Sequence, residues 1–140
     1  MTRINLIDPS HLSDKHLLAE NHEMLRPLTR VERAVSNGKR PNDFEIPERW
    51  KLGKGHELFF MTRLKFLHTR YINVCYEIQK RGFKVDQQKY LHNLGRFTAL
   101  VDSEWYNPYE PSPEECYLNM ARLARRSQWE STHLELISED

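Results

Sequence analysis

Apolar positions fall at alternating intervals of four and three between Phe60 and Ile78: Phe60, Leu64, Leu67, Tyr71, Val74 and Ile78. Residues three and four apart stand above one another on a helix, so this spacing predicts an amphipathic helix from about residue 56 to 81. Gly82 stops it, because glycine accepts the left-handed conformation that follows a helix C-terminus. A second helix is predicted from Ser13, a good N-cap, to the turn signal Asn37-Gly38. Leu18, Leu25, Leu28 and Val35 mark its buried stripe, and Pro27, which has no N–H to donate, predicts a kink inside it. A third helix opens at Ser112-Pro113-Glu114-Glu115, a capping box with proline at the first helical position. Its apolar face is Cys116, Met120 and Leu123, flanked by Tyr117 and Ala124. The other segments carry Pro41, Pro47, Pro108, Pro111 and scattered glycines, and read as loops. No run alternates as a strand would. The expected fold is all-α: a compact single domain of three main helices over residues 1–129, with long loops and an N-terminal arm crossing the helices. An acidic tail follows at 130–140.

Composition narrows the setting. Hydrophobic residues at 39% and charged residues at 29% suit a globular chain, and 140 residues are enough to bury a core. No apolar run is long enough to span a bilayer. Asp8, His11 and Asp14 break any signal-peptide core, so a cytoplasmic location is expected, in a bacterium or a phage- or virus-infected host. Cys75 and Cys116 make neither a disulfide framework nor a zinc site and read as buried thiols in a reducing compartment. The net charge is only +1. Four of the 20 acids fall in residues 130–140, where there is no Lys or Arg, so the body before that tail is basic.

The candidate chemistry begins at the N-terminus. Met1 precedes a small residue, so an aminopeptidase can leave Thr2 as the first residue. A free α-amino group has a pKa of roughly 7.7–8.0, against about 10.4 for lysine, and is nucleophilic near neutral pH. Along the predicted first helix, His16, Glu23, Arg26, Arg30 and Arg33 fall at helical spacing on one stripe. On spacing alone the plainer reading is a solvated face with a Glu23–Arg26 pair of little energetic weight. His11, His16 and His22 lack partners at metal-ligand spacing, so neither metal nor cofactor is expected.

Thr2-Arg3-Ile4-Asn5-Leu6, followed by Asp14, His16-Leu17, Ala19-Glu20, Glu23 and Arg26, resembles the opening of the pyrimidine-dimer DNA glycosylases of the phage endonuclease V type. The likeness continues through Asn37-Gly38-Lys39-Arg40, Asp43-Phe44, Leu52-Gly53, Gly55-His56, Phe59-Phe60, Leu64, Phe66-Leu67, Arg70 and Lys80-Arg81-Gly82-Phe83. It runs to about Val85 and resumes at Ala121-Arg122-Leu123. The resemblance implies a DNA repair glycosylase with abasic-site lyase activity, working as a monomer on lesion-bearing or abasic double-stranded DNA. It implies Thr2 as nucleophile and Glu23 as catalytic carboxylate. Duplex contacts are carried over to Arg3, His16, His22, Arg26, Arg33, Lys39, Arg40, Arg122 and Arg126.

Three departures bear on specificity. His22 stands where the family usually has arginine, which exchanges a fixed charge for one present only at acid pH. Asn21 replaces an aromatic residue. The aromatic C-terminal tail is missing: Trp129 is followed by Glu130, Glu135, Glu139 and Asp140 with no further aromatic. These changes imply weaker or differently placed dimer recognition beside strong abasic-site lyase activity. Trp105, Tyr106 and Tyr109 suit core packing better than base stacking. The alternatives are an enzyme of the same fold redirected to another damaged or modified base, and a non-catalytic DNA-binding relative.

Overall fold

The computed structural model describes residues 3–138, with side chains as far as Arg125. Among these residues there are six α-helices and no strand: α1 (Asp14–Glu23), α2 (Arg26–Ser36), α3 (His56–Met61), α4 (Leu64–Lys80), α5 (Gln87–Thr98) and α6 (Pro113–Ser138). The all-helical expectation holds. The chain divides into two compact units. One comprises residues 1–4 and 8–110, and the other residues 5–7 and 111–140.

In the first unit the predicted seam of α4 is the core. Leu64, Leu67 and Val74 are wholly buried, with Tyr71 and Ile78 nearly so, and Phe59 and Phe60 join them from α3. The single helix expected over 56–81 is broken at Thr62-Arg63. The Arg63 guanidinium turns back over the Phe59 ring at 3.8 Å and donates to the Phe59 carbonyl at 2.7 Å. An orphan carbonyl at the end of α3 thereby gains a donor, and the chain restarts as α4.

The predicted first helix is likewise two. Ser13 caps α1 as expected, accepting from the His16 N–H at 3.2 Å. Pro27 does not kink a continuous helix: it sits in the first turn of α2, where its missing N–H costs nothing. The buried face differs from the expected stripe and keeps helical spacing across the break. Leu17, Met24, Leu28 and Val31 are wholly buried, whereas the expected core positions Leu18 and Val35 are 37% and 46% exposed. Glu20 on α1 is buried too and forms a two-pronged ion pair with Arg70 of α4.

The stretch read as a loop before residue 100 contains α5. Asp86 caps it, accepting from the Lys89 N–H at 3.1 Å. Phe97 is wholly buried and stacks on His68 at 4.8 Å, while the Asn93 amide donates to the Tyr71 hydroxyl at 3.0 Å. Burial pushes the Tyr71 hydroxyl up to about 12. Trp105 is 3% exposed and packs edge-on against Phe44, the core role expected of it.

In the second unit the capping box forms as predicted. The Glu115 N–H donates to Ser112 Oγ and the Ser112 N–H to Glu115 Oε1, both at 3.1 Å. The expected apolar face forms only in part: Cys116 and Leu123 are half-buried, while Met120 and the flanking Tyr117 are 56% and 72% exposed. The buried position of this turn is polar. Asn119 Oδ1 accepts from the Leu6 N–H at 2.7 Å and the Ile7 N–H at 3.2 Å, and its Nδ2 donates to Asn5 Oδ1 at 2.8 Å. Buried backbone donors require acceptors. The demand of residues 5–7 therefore turns Asn119 inward, and Met120, one residue on, faces out.

Candidate functional site

Residues 3 and 4 lie in no helix, so their backbone groups need partners from elsewhere. The Arg3 N–H donates to Glu23 Oε2 at 3.0 Å. The Ile4 N–H donates to His56 Nε2 at 2.7 Å, and Ile4 C=O accepts from Trp50 Nε1–H at 3.3 Å. Ile4 itself is wholly buried. The chain leading to the N-terminus is thus strapped down by side chains from α1, α3 and the loop before α3. Thr2 lies outside the described residues, but its neighbour's amide rests on the carboxylate proposed to act with it.

Glu23 closes α1, in the last turn before the break. It is half-buried, so a carboxylate there keeps access to solvent while facing the strap. His56 opens α3 directly after Gly55, whose φ of +96° is left-handed and favours glycine. The His56 ring is 1% exposed. Its Nδ1 lies 2.7 Å from the Lys51 carbonyl oxygen. A carbonyl only accepts, so Nδ1 carries the hydrogen and Nε2 is the acceptor for Ile4. The imidazole is therefore neutral, and burial pushes its pKa below the usual 6.5. Nothing in the hydrophobic periodicity marked His56, Trp50 or Asn119. For His56 there were two signals: Gly55-His56 belongs to the family likeness, with no role attached to it, and the histidine stands isolated ahead of the apolar Phe59-Phe60 segment.

The linear stripe expected on the first helix is divided by the break. His16 and Glu23 belong to α1, with His16 half-buried and His22 exposed. Arg26, Arg30 and Arg33 share one face of α2 at intervals of four and three. Arg30 and Arg33 meet Lys39 around a cleft of about 250 Å³ that also takes in Ala34, Asn37 and Phe44. Three cations line this cleft, and no carboxylate is among its lining residues. Arg40 does not join them: it pairs through two nitrogens with Glu104, and that partner raises its pKa further. Asn21 accepts from the Cys75 thiol at 3.5 Å. Arg122 is exposed on α6, and the Arg126 side chain and the tail positions from Trp129 onward lie outside the described side chains. Among the described residues no three His, Cys, Asp or Glu side chains gather as a metal site requires, and no helix is long and apolar enough to cross a membrane.

The buried imidazoles make stability depend on pH. His56 and His68 both have pKa values lowered by burial from 6.5. Below that pH the unfolded chain binds protons that the folded chain refuses, so stability falls as pH drops through the window beneath 6.5. For His56 the slope reaches about 1.4 kcal/mol per pH unit. His68 is more exposed and adds a weaker effect of the same sign. Urea unfolding at pH 7.5 and pH 5 should show the loss, and His56→Gln should flatten it; an unchanged difference would mean that His56 does not titrate on unfolding.

A sequence model described as pyrimidine dimer DNA glycosylase matches residues 1–105. The matched stretch holds the strap, Glu23, His56 and the cationic cleft, and ends before α6 begins.

Proposed function

The chain belongs to the pyrimidine dimer DNA glycosylase family, and from that membership we propose that it excises dimers and nicks abasic sites through an imine formed by its N-terminal amine. The observation that carries the reading is the 3.0 Å bond from the Arg3 N–H to Glu23 Oε2. It sets a carboxylate one residue from the terminal amine, in a protein whose family acts on the glycosidic bonds of DNA.

The chemistry needs no more than those two groups. The Thr2 amine attacks C1′ of the damaged nucleotide, the bond from C1′ to the base breaks, and the base departs with the electron pair. Loss of a proton from nitrogen and opening of the sugar ring give an imine, a covalent intermediate that divides one hard step into easier ones. The imine acidifies the C2′ proton; its removal expels the 3′ phosphate and breaks the strand. Glu23 stabilises the positive charge that develops on the sugar and relays the protons. A stacked duplex hides C1′, so the nucleotide must leave the stack, which costs least where a lesion has already weakened stacking.

Phosphate contacts come from Arg3 and from α2 through Arg26 and Arg33, together with Lys39. Arg30, in the same cleft as Arg33 and Lys39, joins this set. Arg40 contributes less, because Glu104 offsets its charge. His16, His22, Arg122 and Arg126 complete the proposed contacts. The partner is duplex DNA with a lesion or an abasic site, and the working form is a monomer. With an exposed histidine at position 22 and no aromatics after Trp129, dimer recognition is expected to be weaker than abasic-site cleavage.

Borohydride reduction on an abasic duplex tests the reading. It should join protein to DNA at residue 2, and a blocked N-terminus should abolish the adduct. Equal trapping of the blocked protein would point to a lysine and remove Thr2. Binding should also weaken steeply with salt, each phosphate contact contributing a slope of roughly −0.9 in log K against log salt. Replacing Arg33 and Lys39 together by Gln should therefore flatten that slope by about two units. An unchanged slope would take the cleft out of the DNA interface.

A further inference from the structure

We infer that His56 is the positioning residue for the N-terminal amine: its Nε2, held in a buried and fully hydrogen-bonded ring, fixes Ile4 and through it the two residues that end at the nucleophile. The inference rests on the reading of Thr2 as nucleophile and adds how that amine is aimed.

Chain termini fray unless something ties them down. Here the tie at residue 4 is a neutral imidazole whose Nε2 accepts from Ile4 at 2.7 Å while its Nδ1–H is used on Lys51 C=O at the same distance. With both ring nitrogens engaged, the ring cannot flip or change tautomer without losing both bonds, the one to Ile4 fully buried. Two rings also pack against it in T-shaped contacts, Trp50 at 5.9 Å and Phe60 at 5.4 Å between centroids. Trp50 then reaches past the ring to Ile4 C=O. Both backbone polar groups of Ile4 are thereby fixed by rigid aromatic side chains. A long flexible acceptor in place of the imidazole would lose more conformational entropy for the same bond.

The distance from this tie to the reaction is short. Consecutive Cα atoms are about 3.8 Å apart, so a displacement at Ile4 reaches the terminal nitrogen through two peptide units with little room to dissipate. A misplacement of about 1 Å can cost roughly 10²-fold in rate. Glu23 holds the intervening Arg3 amide, but one bond from a half-buried carboxylate leaves the strap free to pivot about it. His56 removes that freedom. It touches neither substrate nor reacting atoms, so its effect belongs in the rate of imine formation and not in DNA affinity. The charged groups facing it are Glu20, Glu57 and Arg3. The carboxylates favour the imidazolium and Arg3 opposes it, but burial outweighs them and keeps the ring in the acceptor form that the strap requires.

The test exploits the geometry of the two ring nitrogens. In His56→Gln the side-chain oxygen reaches the place of Nε2 and can still accept from Ile4. In His56→Asn the amide reaches only the place of Nδ1 and keeps Lys51 alone. A purely structural role predicts similar losses for both. The positioning role predicts that His56→Asn lowers the single-turnover rate on abasic duplex by about 10²-fold with KM nearly unchanged, while His56→Gln recovers most of the rate. Amide exchange at Ile4 should be slow in the wild-type protein and in His56→Gln, and fast in His56→Asn. Equal rates and equal Ile4 protection in the two variants, both folded by thermal melting, would overturn the inference. Should His56→Asn fail to fold, the wild-type protein decides: heteronuclear NMR should show a scalar coupling from the Ile4 amide nitrogen to His56 Nε2, and its absence would overturn the inference too. Borohydride trapping of the wild type keeps the two ideas apart. No adduct at residue 2 defeats the nucleophile, whereas an adduct at residue 2 with indistinguishable variants defeats His56.

Discussion

Glu23→Gln is expected to lower turnover on both dimer-containing and abasic duplexes by about 10²–10⁴-fold, the range lost when a positioned acid–base group is removed. The substitution separates two roles that one side chain holds. As an acceptor, Glu23 receives the Arg3 N–H, and a glutamine oxygen can receive it equally well. As a charge, in the proposed mechanism, it would face a sugar that becomes positive, and the amide could not replace it there. The strap should therefore persist, with melting temperature and affinity for uncleaved duplex close to wild type. Glu23→Ala should do worse than Glu23→Gln, because it also releases Arg3. Single-turnover rates and fluorescence anisotropy on the three proteins would show this ordering. Wild-type turnover by Glu23→Gln would reduce Glu23 to a cap for the strap and require another group to carry the proton transfers.

The parts of this chain that were legible in sequence are those where one burial rule acts alone. The α4 seam was readable because the apolar residues from Leu64 to Ile78 answer only to the hydrophobic core. The Ser112–Glu115 box was readable because it is local in sequence. The breaks at Met24-Leu25 and Thr62-Arg63 were not, since each depends on what satisfies the helix ends. A proline in the first turn of α2 and an arginine folded over Phe59 look in sequence like a kink and an ordinary basic residue. Helix α5 escaped notice because it buries little beyond Asn93 and Phe97, and Leu91 faces outward at 64% exposure. On α6, periodicity nominated Met120, but hydrogen bonding to residues 5–7 selected Asn119. The site divided along the same line. Glu23 and the basic face of α2 could be nominated from motif and spacing. His56 belongs to the motif, but its role as an acceptor could not be read from it, because its bond to Ile4 spans 52 residues and follows no period.

Arg70→Ala should be the most destabilising single substitution considered, by about 3–5 kcal/mol, the cost of breaking a buried ion pair from one side. Arg70 and Glu20 have side chains only 6% and 0% exposed. Without the guanidinium, the Glu20 carboxylate stays in a site that water cannot enter freely, and the desolvation penalty is no longer repaid. Replacing both partners together, as in Glu20→Leu with Arg70→Met, should recover much of the loss, because matched apolar side chains carry no such penalty. Glu20 lies one turn before Glu23 on α1, and Arg70 lies on α4, so this pair also fixes the helix that presents the proposed catalytic carboxylate. For a chain of this size the single substitution should lower the melting temperature by roughly 10–20 °C, and calorimetry at pH 7 would measure it. At a temperature where Arg70→Ala is still folded, its rate should fall further than its DNA affinity, since α1 loses its anchor while the basic face of α2 is untouched. A loss of under about 1 kcal/mol would place the pair among the surface-like bridges of little weight and would leave apolar packing alone to hold Glu23 in place.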